Sequence, residues 1–315
     1  MKSRHLVAVT VVQQVSTGAV VLFAASEPDK LGVSTPVLPL SLSKVFLAAS
    51  WWDHNLPDRE FESVHGTETA ENPAYRKRVN VQEILVGGSD SAGIQMALAL
   101  RKAVGAQAVL DDLRRFGFNR SGQSFWAEVD PEWKIRLRVQ TADASLNDLS
   151  DQAWGSALSI GESHMTISAL QASQFFQAVG NGGVSCAPVA LRLREDSHGV
   201  SKQRCVAPSR VMNGTTARRL MSAMLDTVHR GTASGISTTL KDVGWSMGGK
   251  TGTGGVNGAP TSEQDGWFAG LIFDRKLNAR FTVATCIRRG GTGGGNAAEI
   301  SAAVAHFLAS DEMKN

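Results

Sequence analysis

The chain has 315 residues, 42% hydrophobic and 19% charged, with a formal net charge of +3. That length supports a large core and about two subdomains, and the composition excludes a disordered or low-complexity chain. The positive charge is spread without a basic run or interleaved aromatics, so nucleic acid is not an indicated partner. Cys186, Cys205 and Cys286 are too few for a disulfide scaffold and form no CxxC pair, and the seven histidines show no HxxxH or HExxH spacing. No metal or cofactor is expected.

Lys2 and Arg4 precede the apolar run 6–12, a superficial likeness to a signal peptide. Gln13 and Gln14 interrupt the run, and Ser16-Thr17-Gly18 turns into a second β-rich run at 19–23. The segment therefore reads as a β-hairpin. No stretch reaches the roughly 20 apolar residues of a membrane span. A connection with Pro28, Pro36 and Pro39 leads to Ser41-Leu42-Ser43-Lys44, which heads an apolar helical run at 45–49.

Residues 53–80 are polar without a strong period and read as loop with short helices. Helices follow with Ile94, Met96, Ala97, Leu98 and Leu100, ending near Gly105, and with Val109, Leu110, Leu113 and Phe116, stopping at Gly117. Residues 119–155 read as irregular, and a further helix covers about 167–179, ended by Asn181-Gly182-Gly183. Residues 184–193 and 204–207 read as a hairpin around Asp196-Ser197-His198-Gly199. Cys186 and Cys205 flank it, which leaves a cross-strand disulfide open in an oxidising compartment.

A helix with Leu220, Met221, Met224, Leu225 and Val228 on its apolar face comes next. Strands are predicted at 245–253, 266–273 and 280–287, then a last helix with Ile300, Val304, Phe307 and Leu308 on one side. The order predicts one α+β domain. Residues 1–40 and 184–315 build an antiparallel sheet flanked by helices, and residues 41–183 form a mostly helical subdomain.

On a helix, Ser41 and Lys44 stand at i and i+3 and share a face, so an amine lies beside a hydroxyl. The alternative is a capped helix start, with Ser41 as N-cap and Lys44 solvated. Two further short motifs bear on the choice: Ser89-Asp90-Ser91 at a turn opening a helix, and Lys250-Thr251-Gly252-Thr253 at the end of a late strand. S-x-x-K, a second serine motif and K-T-G in that chain order form the signature of penicillin-binding proteins and serine β-lactamases. The resemblance extends to Leu158-Ser159-Ile160-Gly161-Glu162, Gly180-Asn181-Gly182-Gly183, Gly231-Thr232-Ala233 and Trp267-Phe268-Ala269-Gly270. The chain thus resembles the transpeptidase domains of large penicillin-binding proteins from about Val7 to Leu308.

The resemblance implies an acyl-enzyme mechanism. Ser41 would be the nucleophile, Lys44 its base, and Ser89 the relay that carries a proton to the leaving group. Lys250 would be a second cation that lowers the Lys44 pKa, and with Thr251 and Thr253 it would hold a substrate carboxylate. Gly252 would belong to the same substrate-binding strand. The N–H groups of Ser41 and Thr253 would form an oxyanion hole. The third position of the second motif is ordinarily asparagine and is here Ser91, also assigned to substrate binding. The residue before the nucleophile is ordinarily glycine and is here Leu40.

The implied partners are peptidoglycan stem peptides, β-lactams and a division or elongation complex reached through N-terminal regions. The implied location is the periplasmic or extracytoplasmic face of the bacterial inner membrane.

Rival readings accompany this one. Residues 244–251 match the phosphate-loop pattern G-x-x-x-x-G-K-[ST], but no apolar strand precedes them and 252–260 cannot open a helix. Asp143-Ala144-Ser145-Leu146-Asn147 resembles the segment that carries the deacylating glutamate of class A β-lactamases. Ser91 keeps a non-catalytic penicillin sensor open. Trp51-Trp52 reads as core, and 290–295 reads as a flexible connection.

Overall fold

The computed structural model describes residues 6–65, 75–119, 143–190, 195–196, 199–200, 204–255 and 258–312. Strands β1 (Val7–Gln13) and β2 (Ala19–Ala25) form the first hairpin, turning through Gly18 at φ +75°. A 3-10 turn, Leu40–Leu42, enters helix α1 (Ser43–Asp53). Strands β3 (Phe61–His65) and β4 (Tyr75–Val79) pair antiparallel. Helices α2 (Val81–Gly87), α3 (Asp90–Val104) and α4 (Ala106–Arg115) follow. Then come β5 (Asp143–Ala144), α5 (Asp151–Ser159), β6 (Met165–Thr166) and α6 (Ala169–Gly180).

Short strands β7 (Val184–Ser185), β8 (Val189–Ala190), β9 (Glu195–Asp196), β10 (Gly199–Val200) and β11 (Ser209–Arg210) precede helix α7 (Gly214–Arg230). Long strands β12 (Ser246–Gly254), β13 (Asp265–Phe273) and β14 (Ala279–Arg288) lead to helix α8 (Ala298–Glu312). The fold is α+β.

The main sheet has the order β12-β13-β14-β1-β2-β8, antiparallel except for the short parallel pair β2–β8. Both faces of β1 are covered, which is why Val9, Val11 and Val12 are all buried rather than alternating. Helix α6 packs on β1, β13 and β14. Helix α8 lies against β14 and β13 through Ala298, Ala302, Ala305 and Ala309. Helix α7 crosses β12 closely enough that a Cβ on Gly248 would lie 2.8 Å from the Leu225 amide nitrogen.

Three expectations change. Within 53–80 the chain makes the β3–β4 hairpin, because Phe61, Ser63 and Val79 turn inward; a buried serine hides the period-2 signal. Within 119–155, of which 120–142 lie outside the described residues, helix α5 begins at Asp151, capped by Ser150 and anchored by buried Trp154, Ala157 and Leu158. On α8 the most buried positions are alanines, with Ile300, Val304 and Leu308 partly buried beside them and Phe307 63% exposed. The hairpin expected from 184–193 and 204–207 is present where it is described: β7 pairs β11, the Ala187 amide donates to the Val206 carbonyl at 2.8 Å, and β9 pairs β10 from Asp196 to Gly199.

Cys186 and Cys205 are joined by a disulfide with a Cα–Cα distance of 5.1 Å, and Cys286 is free and buried. The phosphate-loop pattern falls on β12, where Gly248, Gly249 and Lys250 pair with Leu271, Gly270 and Ala269. An extended, paired strand cannot curl around a phosphate, so that reading is set aside.

Candidate active site

Ser41 lies in the 3-10 turn, two residues before α1 begins at Ser43. Neither the turn nor the helix has a side-chain cap, so Ser41 is not an N-cap. Leu40 holds a φ of +52°, a left-handed conformation in which a Cβ is costly. Its side chain is buried, and its amide donates to the Gly161 carbonyl at 3.1 Å. A Cβ on Gly161 would sit 2.2 Å from the Leu40 carbonyl oxygen, so glycine is required for this approach. Helix α5 and its C-terminal turn thereby hold the turn that presents Ser41.

Lys44 is fully buried, and its Nζ donates to three oxygens: Ser41 Oγ at 3.0 Å, Asp90 Oδ1 at 2.6 Å and the Ser159 carbonyl at 2.6 Å. Gly93 makes the packing possible, since a Cβ there would meet Ser159 Oγ at 2.2 Å and Lys44 Cε at 3.3 Å. Burial lowers the Lys44 pKa below the usual amine range, although the carboxylates of Asp90 and Glu162 pull it upward.

Lys250 is also buried, on β12, and donates to the Thr251 carbonyl at 2.9 Å. Burial, reinforced by the positive charge of Lys44, lowers its pKa to about 7 against the upward pull of Asp90. A groove of about 410 Å³ opens beside both motifs, lined by Ser41, Gly88, Thr232, Lys250, Thr251 and Thr253, with Thr292, Gly294 and Gly295 on its far side. Thr251 Oγ1 shares a 2.6 Å hydrogen bond with Thr232 Oγ1. Thr253 Oγ1 accepts from the Gly293 amide at 3.0 Å. Gly252 is packed so tightly that a Cβ would meet the Leu40 Cβ at 3.1 Å.

The second motif is arranged differently. Ser89 caps α3, accepting from the Ala92 amide at 3.4 Å, and receives a 2.8 Å hydrogen bond from Ser63 Oγ on β3. Ser91 Oγ accepts from the Val64 amide at 2.8 Å, so this side chain is engaged by β3. Asp90 is the member of the motif that reaches Lys44. The backbone of Asp143 pairs with Thr166; its side chain lies outside the described residues. Trp51 and Trp52 are both buried in the core.

The sequence reading gives no functional role to Asp90, Ser159, Thr232 or the 292–295 turn, although Ser159 and Thr232 lie in stretches that carry the resemblance. The turn, read as a flexible connection, docks on the sheet: a Cβ on Gly293 would lie 2.2 Å from the Trp267 carbonyl oxygen and 2.3 Å from that of Gly252. Its run of glycines is the signal of that close approach. Among the described residues, no group of three or more His, Cys, Asp or Glu side chains could hold a metal ion, and no helix is long and apolar enough to cross a membrane.

Three comparisons bear on identity. No curated protein matches this sequence. Among solved structures, penicillin-binding protein 3 of Mycobacterium tuberculosis, complexed with aztreonam, is 21% identical with a TM-score of 0.68, over 98% of this chain and 73% of that one. The D,D-transpeptidase domain of a peptidoglycan glycosyltransferase from Eggerthella lenta is 17% identical with a TM-score of 0.69, over 98% and 79%. The transpeptidase domain of Burkholderia pseudomallei penicillin-binding protein 3 is 17% identical with a TM-score of 0.71, over 98% and 88%. At such identities these likenesses speak for the fold. The family model described as the penicillin-binding protein transpeptidase domain matches residues 8–306. With nearly the whole described chain inside that match, the protein belongs to the penicillin-binding protein transpeptidase domain family.

Proposed function

We propose that the protein is an acyl-serine D,D-transpeptidase or carboxypeptidase acting on the D-Ala-D-Ala end of peptidoglycan stem peptides, and that β-lactams acylate it at Ser41. The observation that carries this reading is the buried Lys44 amine 3.0 Å from Ser41 Oγ. An amine held below its usual pKa at that distance is suited to take the serine proton as Oγ attacks a carbonyl.

Lys250 is the second amine of the site, its own pKa lowered by burial and by the positive charge of Lys44, and like charges so placed repel each other. With Thr251 and Thr253 on the groove wall it would bind the substrate carboxylate, and Gly252 lets the strand lie close to the nucleophile's turn. The amides of Ser41 and Thr253 would stabilise the tetrahedral oxyanion, one donor being worth about 3 kcal/mol. Ser89, already accepting a hydrogen bond from Ser63 Oγ, keeps its own hydroxyl proton to pass on to the leaving nitrogen. The aztreonam complex of the M. tuberculosis relative supports β-lactam binding. The Cys186–Cys205 disulfide supports an oxidising, extracytoplasmic location.

A second reading, a penicillin-binding sensor without turnover, is favoured by Ser91, whose hydroxyl is engaged by β3 where the family's asparagine grips the substrate amide. Incubation with a D-Ala-D-Ala-terminated peptide, with and without an amine acceptor, separates the readings. Release of D-alanine is expected, with aminolysis or hydrolysis of the acyl group. Acylation by penicillin without any D-alanine release would favour the sensor, and repeated penicillin hydrolysis would make the protein a β-lactamase.

A further inference from the structure

The three oxygens around Lys44 Nζ differ in what they can give back. The Ser159 carbonyl and the Asp90 carboxylate only accept; the Ser41 hydroxyl can also donate. A protonated amine satisfies all three with its three N–H bonds. A neutral amine has two N–H bonds and one lone pair. With both acceptor-only groups at 2.6 Å, each takes an N–H, and the lone pair is left facing the hydroxyl at 3.0 Å.

We propose that Asp90 is a positioning residue for Lys44, which together with the Ser159 carbonyl holds both N–H bonds of the neutral amine and turns its lone pair onto Ser41. The inference rests on the reading of Lys44 as the base. In the step it serves, Oγ bonds to the carbonyl carbon, the carbonyl π pair moves to its oxygen, and the Ser41 proton passes to Nζ. Asp90 neither gains nor loses a proton.

The site is shaped for this. Ser159 Oγ donates to the Asp90 backbone carbonyl at 3.1 Å, so the two residues that supply the acceptors are tied to each other through other atoms. The Asp90 side chain is 56% exposed, so it needs no burial of its own to be held there. Its charge nonetheless works against the free amine. The groups that act on Lys44 are Asp90 from α3 and Glu162 from the turn after α5, both favouring the ammonium. The positive charge of Lys44 lowers the pKa of Lys250 on β12, a repulsion that two like charges exert on each other, and Asp90 favours the charged form of Lys250. Asp90 therefore fixes direction at the expense of basal deprotonation, and Lys250 offsets that cost.

The test is the rate of penicillin acylation against pH for the wild type, Asp90→Asn and Asp90→Ala. The amide of Asp90→Asn keeps the acceptor oxygen and removes the charge. Its acid limb is expected to move down by roughly one pH unit or more, the effect of losing an opposite charge in contact. Asp90→Ala loses the acceptor, and its plateau rate is expected to fall by about 10- to 100-fold, as for a misplaced reacting group.

A purely structural role at the first turn of α3 would lower the melting temperature without moving the acid limb. An unmoved limb in Asp90→Asn, with Asp90→Ala acylating at the wild-type rate, would overturn the proposal. Should Asp90→Ala fail to fold, the limb of the isosteric Asp90→Asn decides alone. A wild type that is not acylated at Ser41 at any pH would instead remove the base reading, and the proposal with it.

Discussion

Leu40 sets a backbone cost against a packing gain at the entrance to the nucleophile's turn. Its φ of +52° costs a non-glycine residue roughly 1–2 kcal/mol, while its buried side chain contributes the roughly 2–5 kcal/mol lost in a large-to-small core change. Packing wins, so leucine is tolerated where the family has glycine. Leu40→Ala keeps the left-handed penalty and loses the side chain. Leu40→Gly loses the side chain but relieves the penalty, against roughly 0.5–1 kcal/mol of added chain entropy. Urea unfolding is expected to show both variants destabilised, with the glycine variant about 0.5–1 kcal/mol more stable than the alanine one. A glycine variant less stable than the alanine variant would contradict this balance.

At the same scale, Ser41, Lys44 and Lys250 were legible because each sits in a short contiguous motif whose chain order carries information. Asp90 was visible only as a spacer. Ser159 acts through its backbone carbonyl, and Thr232 and Gly294 reach the groove by tertiary packing, none of which a linear pattern encodes.

Among the elements, the Cys186–Cys205 disulfide joins the segment around β7 and β8 to the stretch that returns before β11. The Cys186 amide donates to Gln177 Oε1 at 2.9 Å, and Gln177 Nε2 donates to the Val15 carbonyl at 2.6 Å, tying this segment to α6 and the first hairpin. The bridged residues are 19 apart, a loop for which cross-linking contributes about 3 kcal/mol. Cys205→Ser, or reduction, is expected to lower stability by about 2–4 kcal/mol. The acylation rate should not change, because β8 and β12 lie at opposite edges of the sheet. A loss of acylation at unchanged stability would contradict that separation.

The elements legible in advance were those with a dense apolar run, such as β13 and α6, which are buried along almost their whole length. β3 hid because its inward face carries Ser63, whose hydroxyl donates to Ser89. α8 was legible as a helix, but its most buried positions are alanines, with Ile300, Val304 and Leu308 beside them and Phe307 exposed.

For the molecule as a whole, two buried lysines are a cost to the folded state. Lys250 titrates near 10.5 when free and near 7 in the fold, so between those values the unfolded chain holds the extra proton. Stability therefore rises with pH from about 7 toward 10.5 and is lowest, for this group, below 7. Lys44, also lowered, adds to the same slope. Thermal unfolding at intervals from pH 6.5 to 10 is expected to show this rise, on the order of a few pH units wide, and Lys250→Met to flatten it. A wild-type stability that falls across that window would contradict the burial of a lowered-pKa lysine.

The account turns on one covalent bond. Intact-mass measurement of the protein with a penicillin over time, followed by peptide mapping and repeated on Ser41→Ala, addresses it directly. A single adduct on Ser41, absent from the variant, is the predicted result. No adduct on the folded wild type, or an adduct that persists in Ser41→Ala, would contradict it.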